Sequence, residues 1–385
     1  MSRLLFWAAA ALISYTYAVF PALVLARARL RPRGHQSAPI TPTISVVIAA
    51  HEEEAVIADK VENLLGLDYP ADKLQVLIAS DGSTDGTVAA ARAGAAGDDR
   101  VEVLDLPRTG KAGALNSAVE RATGELLVFS DANSMFAPDA LRRLAAPFAD
   151  PSVGGVAGDQ RYLPDSEDGG VAKGERGYWD LDRAIKQAES DAGNVISATG
   201  AIYAVRRSLF GPVPDGVTDD FATSTAVIAQ GRRLIFAPDA IAYERVGGTA
   251  EIEYGRKVRV MTRGLNGVVL RRGLLDPRSH GFYAIQLLSH KVLRRLMAVP
   301  LLVLAATALR LARRGPFYFL AAAAQSAVYG LGAAGLLLGR SAVSRHRVLA
   351  LPAYFCLVNL ASLQAAANVV RRRPVDRWQP RRDAP

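Results

Sequence analysis

Apolar residues follow two patterns along the chain. Long apolar runs lie near both ends, and between them short apolar runs alternate with segments of mixed polarity. Residues 4–26, 316–338 and 348–370 each hold 23 residues without a charge, so each can cross a bilayer as a helix. A fourth run, residues 296–309, has only 14 residues, which is short for a crossing. The pattern predicts a more polar domain set between membrane segments.

The apolar runs and the basic stretches beside them divide the chain into six parts. We expect a transmembrane anchor, a basic cytosolic linker, an α/β domain, an interfacial amphipathic segment, a C-terminal membrane region of two or three helices, and a basic tail. Their limits are residues 1–26, 27–42, 43–270, 271–295, 296–370 and 371–385.

The arginines indicate the orientation of the chain in the membrane. The first apolar run is followed at once by Arg27, Arg29, Arg31 and Arg33. The run lacks a basic n-region with a short apolar core and a clear small-residue cleavage site, so we expect an anchor and not a removed signal peptide. Because flanking cations tend to stay in the cytosol, the domain after it is expected to be cytosolic. The C-terminal region allows two topologies. If residues 296–309 cross, the basic tail lies outside; if they only enter the membrane, it is cytosolic. Charge favours the second topology and apolar character favours the first.

The central part alternates predicted strands and helices. Strands are expected at residues 44–50, 74–80, 101–104 and 125–130, and helices from residue 53 and at 111–122. This order predicts a mostly parallel, doubly wound sheet. Further along, the pattern favours a helix at residues 174–190, a strand region at 195–205 and a helix at 221–230.

Composition narrows the function classes. The net charge is +9, but the arginines crowd beside the apolar runs, as is typical of membrane proteins. No basic stripe with interleaved aromatic residues appears, so we expect no nucleic-acid partner. The only cysteine, Cys356, lies in an apolar run, which excludes an internal disulfide and a cysteine-based zinc site.

Polar clusters follow three of the predicted strands. They are residues 51–54 (HEEE), 81–86 (DGSTDG) and 131–133 (DAN). Singly, each also suits a structural role, as acids at a helix start or as turn residues. Because ligands bind at the carboxyl ends of parallel strands, three clusters on that edge predict one shared ligand site.

These motifs together resemble glycosyltransferase family 2, which has the GT-A fold. The run SVVIAAHEEE, VLIASDGSTDGT, GKAGALNSA and LLVFSDAN carries the resemblance, and GAIYAVRRSLF, VTDDF, GRRLIFAPDAIAYE and RKVR continue it. The resemblance spans roughly residues 43 to 265. The flanking apolar runs are also similar to those of the membrane-bound polysaccharide synthases of the family.

The resemblance implies how the nucleotide and a metal are bound. Ala50, Glu53 and Asp81 match residues that hold the base and ribose, and Lys111 matches the lysine near the nucleotide. The segment from Asp131 matches the family's D-x-D metal motif, with Asn133 in place of the second aspartate. Oxygen ligands beside a diphosphate suit Mg²⁺ or Mn²⁺, and an amide oxygen is a weaker ligand than a carboxylate.

The resemblance also implies a catalytic base. The segment from Thr218 matches the family motif in which Asp219 contacts the donor and Asp220 removes the acceptor's proton, although these residues also suit a helix start. Arg256 and Arg259 fall on the Q-x-x-R-W motif of processive members, where they are expected to bind the diphosphate. Of that motif only Arg259 remains, since Arg256 and Val260 replace the glutamine and the tryptophan. This difference leaves processive polymerisation in doubt.

The expected function is transfer of a sugar from a UDP-linked donor, with inversion, to a lipid-linked or growing glycan. The expected setting is exopolysaccharide, capsule or cell-envelope synthesis at the cytosolic face of a bacterial plasma membrane, in contact with its lipids. Two alternatives stay open. One is transfer to a polyprenyl phosphate, and the other is a membrane scaffold that binds nucleotide without turnover.

Overall fold

The computed structural model describes residues 1–163, 171–245, 250–338 and 346–373. Residues 164–170, 246–249, 339–345 and 374–385 lie outside these ranges, and the last of these segments is most of the predicted basic tail. The described strands form one sheet in the order β3-β2-β1-β4-β7-β6-β8-β5. They are β1 Ile44–Ala50, β2 Leu74–Asp81, β3 Val101–Leu106, β4 Leu126–Phe129, β5 Met135–Phe136, β6 Val153–Leu163, β7 Tyr203–Arg206 and β8 Arg233–Arg245.

Fifteen α-helices lie in the described residues. They are α1 Ser2–Ser14, α2 Phe20–Leu30, α3 Glu54–Leu65, α4 Thr87–Ala95, α5 Lys111–Arg121, α6 Ala140–Ala145, α7 Val171–Ala192, α8 Asp219–Ala229, α9 Ala250–Leu270, α10 Pro277–His280, α11 Phe282–Gln286, α12 Arg294–Leu296, α13 Ala298–Leu311, α14 Pro316–Leu337 and α15 Arg347–Val370. Two π-helical turns, Tyr15–Val19 and Leu287–Leu293, join neighbouring helices.

The first four strands form the parallel unit that the sequence predicts. β1 pairs in parallel with β2 and with β4, and β2 pairs in parallel with β3. Beyond β4 the sheet is mixed, because β7 runs antiparallel to both β4 and β6. The α/β class is confirmed, with the parallel part limited to β1–β4 and to the β6–β8 pair.

Helices cover both faces of this sheet. All seven residues of β1 are buried, as expected for a strand with helices on both sides. One face packs against α3, α4 and α6 through residues such as Ile57, Ala91 and Leu144. The other packs against α5, α8 and α9 through Leu115, Phe221 and Val268 in turn. Burying each large side chain contributes about 1.5–3 kcal/mol.

The later strands differ from the prediction. Of the strand region expected at residues 195–205, only β7 is a strand, and the part before it is loop. Two long strands, β6 and β8, were not predicted. β6 has two glycines after its first residue and a polar stretch before its last, while β8 contains a proline, so neither shows a simple apolar alternation.

Apolar helices lie at both ends of the described chain. By length and composition, Ser2–Leu30, Pro316–Leu337 and Arg347–Val370 are able to cross a membrane. A further pair, Phe282–Leu296 and Ala298–Arg314, meets the same test only when taken together, and it is bent by 54°. The prediction of several membrane segments therefore agrees with helices of the right length, including the C-terminal pair α14 and α15.

α13 packs beside α1, which bears on the choice of topology. Phe6, near the start of α1, is buried against Ala308 and Leu311, at the end of α13, and against Ala322 of α14. The end of α13 therefore lies level with the start of α1, so the two helices run antiparallel. This packing favours the topology in which residues 296–309 cross the membrane with α1.

Candidate active site

The first two polar clusters meet at one edge of the sheet. The Oε1 atom of Glu52 accepts hydrogen bonds from the Thr84 backbone N–H at 2.7 Å and from its hydroxyl at 3.1 Å. Glu54 accepts from the Gly86 N–H at 3.1 Å. The acids after β1 thus hold the turn after β2. The expectation that these clusters share an edge is confirmed.

Ala50 and Glu53 lie at the base of this corner. Ala50 is fully buried as the last residue of β1. Glu53 is 3% exposed, and its backbone N–H donates to the Thr87 hydroxyl at 2.8 Å. The contact of Ala50 and Glu53 with a base and ribose stays a prediction.

Asp81 has a structural role that the sequence did not indicate. Its carboxylate is fully buried, with Oδ1 accepting from the N–H groups of Thr109 at 2.6 Å and Gly110 at 2.8 Å. Arg108 donates to Oδ2 at 2.9 Å. Gly82, with φ +58°, lets the chain pass close to Arg108, where a Cβ would lie 2.8 Å from the backbone nitrogen. Asp81 therefore holds the loop that leads into α5.

Lys111 connects Asp131, in the third polar cluster, with Asp219, at the start of α8. It is the first residue of α5, and its Nζ lies 2.7 Å from Asp131 Oδ1 and 3.1 Å from Asp219 Oδ2. Burial alone would lower the pKa of Lys111, but the two carboxylates raise it well above its usual value. Burial raises the pKa of Asp219, and Lys111 opposes that effect. Three residues from separate parts of the sequence thus form one charged cluster.

The loop after β4 fits a divalent cation. Asp131 is 36% exposed, and Gly200 leaves room for it, since a Cβ there would lie 2.8 Å from Asp131 Oδ2. Asn133 is half-buried on the same loop. The described residues contain no group of three His, Cys, Asp or Glu side chains that could hold a metal. Two oxygen-bearing side chains suit a cation whose other ligands come from a diphosphate.

A buried polar network lies beneath this loop. Lys60 of α3 is fully buried, and its Nζ donates to Ser130 Oγ at 3.0 Å and to the Ser134 carbonyl. The Ser134 hydroxyl in turn donates to Glu244 of β8, which also accepts from Gln160 at 2.6 Å. These hydrogen bonds hold Ser130 and Ser134, the residues on either side of the Asp131–Asn133 loop.

Burial shifts the pKa of both charged members of the network. It lowers the pKa of Lys60 to about 7, against the opposing charges of Asp131 and Glu244. It also raises the pKa of Glu244, an effect to which Asp131 adds. Lys60 belongs to none of the motifs, whereas Glu244 is the last residue of the segment GRRLIFAPDAIAYE that continues the resemblance. One signal was available: Lys60 lies on the buried face of α3 between Ile57 and Leu64, where an apolar residue is expected.

Asp220 lies in the first turn of α8. Its Oδ1 accepts the backbone N–H of Phe221 at 2.6 Å, and Tyr203 is buried close to it. Thr218 occupies the position before the helix, but its side chain makes no capping hydrogen bond. The helix-start explanation therefore accounts for the position of Asp219 and Asp220 but not for the whole Thr218–Asp220 motif.

Arg256 and Arg259 lie on α9. Arg256 is exposed, and its charge acts on Glu244. Between them, the Nζ atom of Lys257 lies 5.2 Å from the ring centroid of Tyr354 in α15. Lys257 therefore packs beside a membrane helix, while the contact of Arg256 and Arg259 with the donor stays a prediction.

Comparison with known proteins identifies the domain. Residues 45–212 match the model of glycosyl transferase family 2. The chain is 31% identical over 199 residues to a beta-monoglucosyldiacylglycerol synthase of Nostoc sp., covering 49% of this chain and 42% of that one. It is 28% identical over 233 residues to the poly-beta-1,6-N-acetyl-D-glucosamine synthase of Staphylococcus aureus, covering 59% of this chain and 56% of that one.

A solved structure matches over nearly the whole length. The mannosyltransferase PcManGT of Pyrobaculum calidifontis, in complex with GDP-Man and Mn²⁺, is 26% identical with a TM-score of 0.71. The match covers 96% of this chain and 99% of that one. The chain carries a glycosyltransferase family 2 domain with the GT-A fold, and the family resemblance is confirmed. Because it spans about half the length of the curated relatives, their acceptors and products are not transferred to it.

Proposed function

We propose that the protein is a membrane-bound, inverting glycosyltransferase that uses a nucleoside-diphosphate sugar. The observation that carries this proposal is the contact of Lys111 with both Asp131 and Asp219. This contact supports a single site that combines the proposed cation ligand Asp131, the proposed diphosphate contact Lys111 and the start of α8, which carries Asp220. The uridine base expected from the resemblance stays a prediction, since the matched mannosyltransferase was solved with GDP-Man.

The roles of the side chains follow from charge and position. Asp220 accepts the proton of the attacking hydroxyl while the new bond forms at the anomeric carbon. Lys111 stabilises the negative charge that develops on the departing diphosphate. A Mg²⁺ or Mn²⁺ ion, held by Asp131 and Asn133, would neutralise part of the same charge. Attack on the face opposite the leaving group inverts the anomeric centre.

The acceptor is proposed to be a lipid-linked or growing glycan at the cytosolic face of a bacterial plasma membrane. Support comes from the apolar helices that flank the domain and from the arginines that follow α1. Curated relatives in the same family are named as synthases of a glycolipid and of a polysaccharide.

A panel of nucleotide sugars tests the proposal. Purified protein is incubated with UDP-, GDP- and other nucleoside-diphosphate sugars, with Mn²⁺ or Mg²⁺ and a membrane-lipid extract, and the released nucleoside diphosphate is measured. We expect cation-dependent release from one donor well above that from the others. Binding of a nucleotide without release from any donor would support the scaffold alternative instead.

A further inference from the structure

Three cations converge on the side of the cleft that faces the membrane helices. Arg263 belongs to α9, Lys291 to the π-helical turn Leu287–Leu293, and Arg295 to α12. We name them the acceptor-side cations. None belongs to the motifs that carry the family resemblance.

Direct contacts place Lys291 beside the proposed base. Its Nζ donates to Ser197 Oγ at 3.0 Å and lies 5.1 Å from the ring centroid of Phe221. Phe221 is the residue after Asp220, and its N–H donates to the Asp220 carboxylate. The Ser197 hydroxyl and the ring of Phe221, the neighbour of Asp220 in sequence, thus hold Lys291 in place without an ion pair.

The other two acceptor-side cations meet at α9: Arg263 belongs to this helix, and Arg295 packs against it. The guanidinium of Arg295 lies against Gly264, where any side chain would collide with it, and Nη1 is 3.5 Å from the Met261 carbonyl. Asp220 acts electrostatically on both Lys291 and Arg295, and Asp219 acts on Arg263. In the described parts of the chain, no carboxylate lies within ion-pair distance of Lys291 or Arg295.

The cluster also lies next to the membrane. Lys291 and Arg295 belong to Phe282–Leu296, the first member of the bent pair that leads into α13. The backbone carbonyl of Arg295 accepts the hydroxyl of Ser362 in α15. Cations at such a junction face lipid head groups, whose phosphates they bind strongly.

We propose that the acceptor carries a phosphate or diphosphate, which the acceptor-side cations bind. The proposal rests on the proposed function and names its substrate class: a sugar joined to a lipid through a diphosphate. The lipid chain would leave along α13 and α15, and the first sugar would lie between the phosphates and Asp220. Its hydroxyl oxygen bonds to the anomeric carbon, its proton passes to Asp220, and the donor's carbon–oxygen bond to the diphosphate breaks.

A steady-state comparison of three acceptors tests this proposal. They are a polyprenyl-diphosphate-linked monosaccharide, the same sugar on diacylglycerol, and polyprenyl phosphate alone. For Lys291→Met we expect KM for the diphosphate-linked acceptor to rise about tenfold or more, with the KM for the donor unchanged. Lys291→Arg should restore it, and Lys257→Met, which removes a cation elsewhere on the membrane side, should match wild type.

Equal use of the diacylglycerol glycoside by wild type would overturn the proposal, and so would an unchanged acceptor KM in both Lys291→Met and Arg295→Gln. Preferred use of polyprenyl phosphate alone, with Asp220→Asn still active, would also overturn it in favour of a phosphate nucleophile. Failure of the proposed function is distinguishable, because no nucleoside diphosphate would then be released from any donor.

Binding without turnover gives a second readout. Farnesyl diphosphate should raise the melting temperature of wild type and of Lys257→Met, but not that of the Lys291→Met, Arg295→Gln double variant. The nucleoside diphosphate of the preferred donor is added throughout, with Mn²⁺, to saturate the donor side. Equal stabilisation of the double variant by farnesyl diphosphate would rule out the site.

Discussion

Lys111 is the residue that joins the separate parts of the cleft. Replacing it with methionine removes the cation between Asp131 and Asp219, so these carboxylates repel each other and the diphosphate loses a positive partner. We expect kcat/KM for the donor to fall about 100-fold. Steady-state release of nucleoside diphosphate measures the effect. Lys73→Met is the control, since the Lys73 side chain bonds to Thr41 at the other end of the sheet. A loss below threefold would contradict the role given to Lys111.

Lys60 makes stability depend on pH. Its pKa is about 7 in the folded protein and 10.5 when unburied, so between these values the unfolded chain binds a proton that the folded protein lacks. The free energy of unfolding therefore rises with pH in this range, by up to about 1.4 kcal/mol per unit from this group. Thermal unfolding at pH 7 and pH 9 should show a larger gain for wild type than for Lys60→Met. An equal rise in stability between pH 7 and pH 9 in the two proteins would contradict this role of Lys60.

At the scale of helices, glycines set how closely α14 and α15 pack. A Cβ at Gly332 would lie 2.5 Å from Cys356 Sγ and 2.8 Å from the Pro352 carbonyl, whereas a Cβ at Gly330 would meet nothing within 4 Å. Gly332→Ala should therefore destabilise the helix pair by about 1–3 kcal/mol. The melting temperature in detergent should fall for Gly332→Ala and stay near wild type for Gly330→Ala. A fall of the same size in both variants would show that close packing is not the cause.

Strands and helices with a strong local pattern were predictable, and contacts between distant residues were not. β1 is a continuous β-branched and apolar run, and its place between two buried strands follows from that. β7 could be placed only roughly, because the loop before it is as apolar as the strand. The positions of Asp131 and Asp219 were predicted, but their common contact with Lys111 depends on how α5 and α8 meet across the sheet. Lys60 and Lys291 lack any motif, so only the folded chain reveals them.

For the whole molecule, the packing of α13 on α1 makes a prediction about topology. If both cross the membrane together, Arg313 lies on the side of the membrane opposite the α/β domain. In a Cys356→Ser background, Arg313→Cys should react with a membrane-impermeant maleimide in intact cells, while Gly97→Cys in the domain should react only after lysis. Protection of Arg313→Cys in intact cells would favour the topology in which residues 296–309 only enter the membrane.

The central claim is that Asp220 is the base of a glycosyl transfer. The most direct measurement compares transfer to acceptor by wild type, Asp220→Asn and Asp105→Asn, a control at an exposed carboxylate of β3. The account predicts that Asp220→Asn loses at least about 100-fold in kcat, since a positioned base contributes that much, while its donor KM stays within about twofold. Asp105→Asn should behave as wild type. Undiminished transfer by Asp220→Asn would contradict the account.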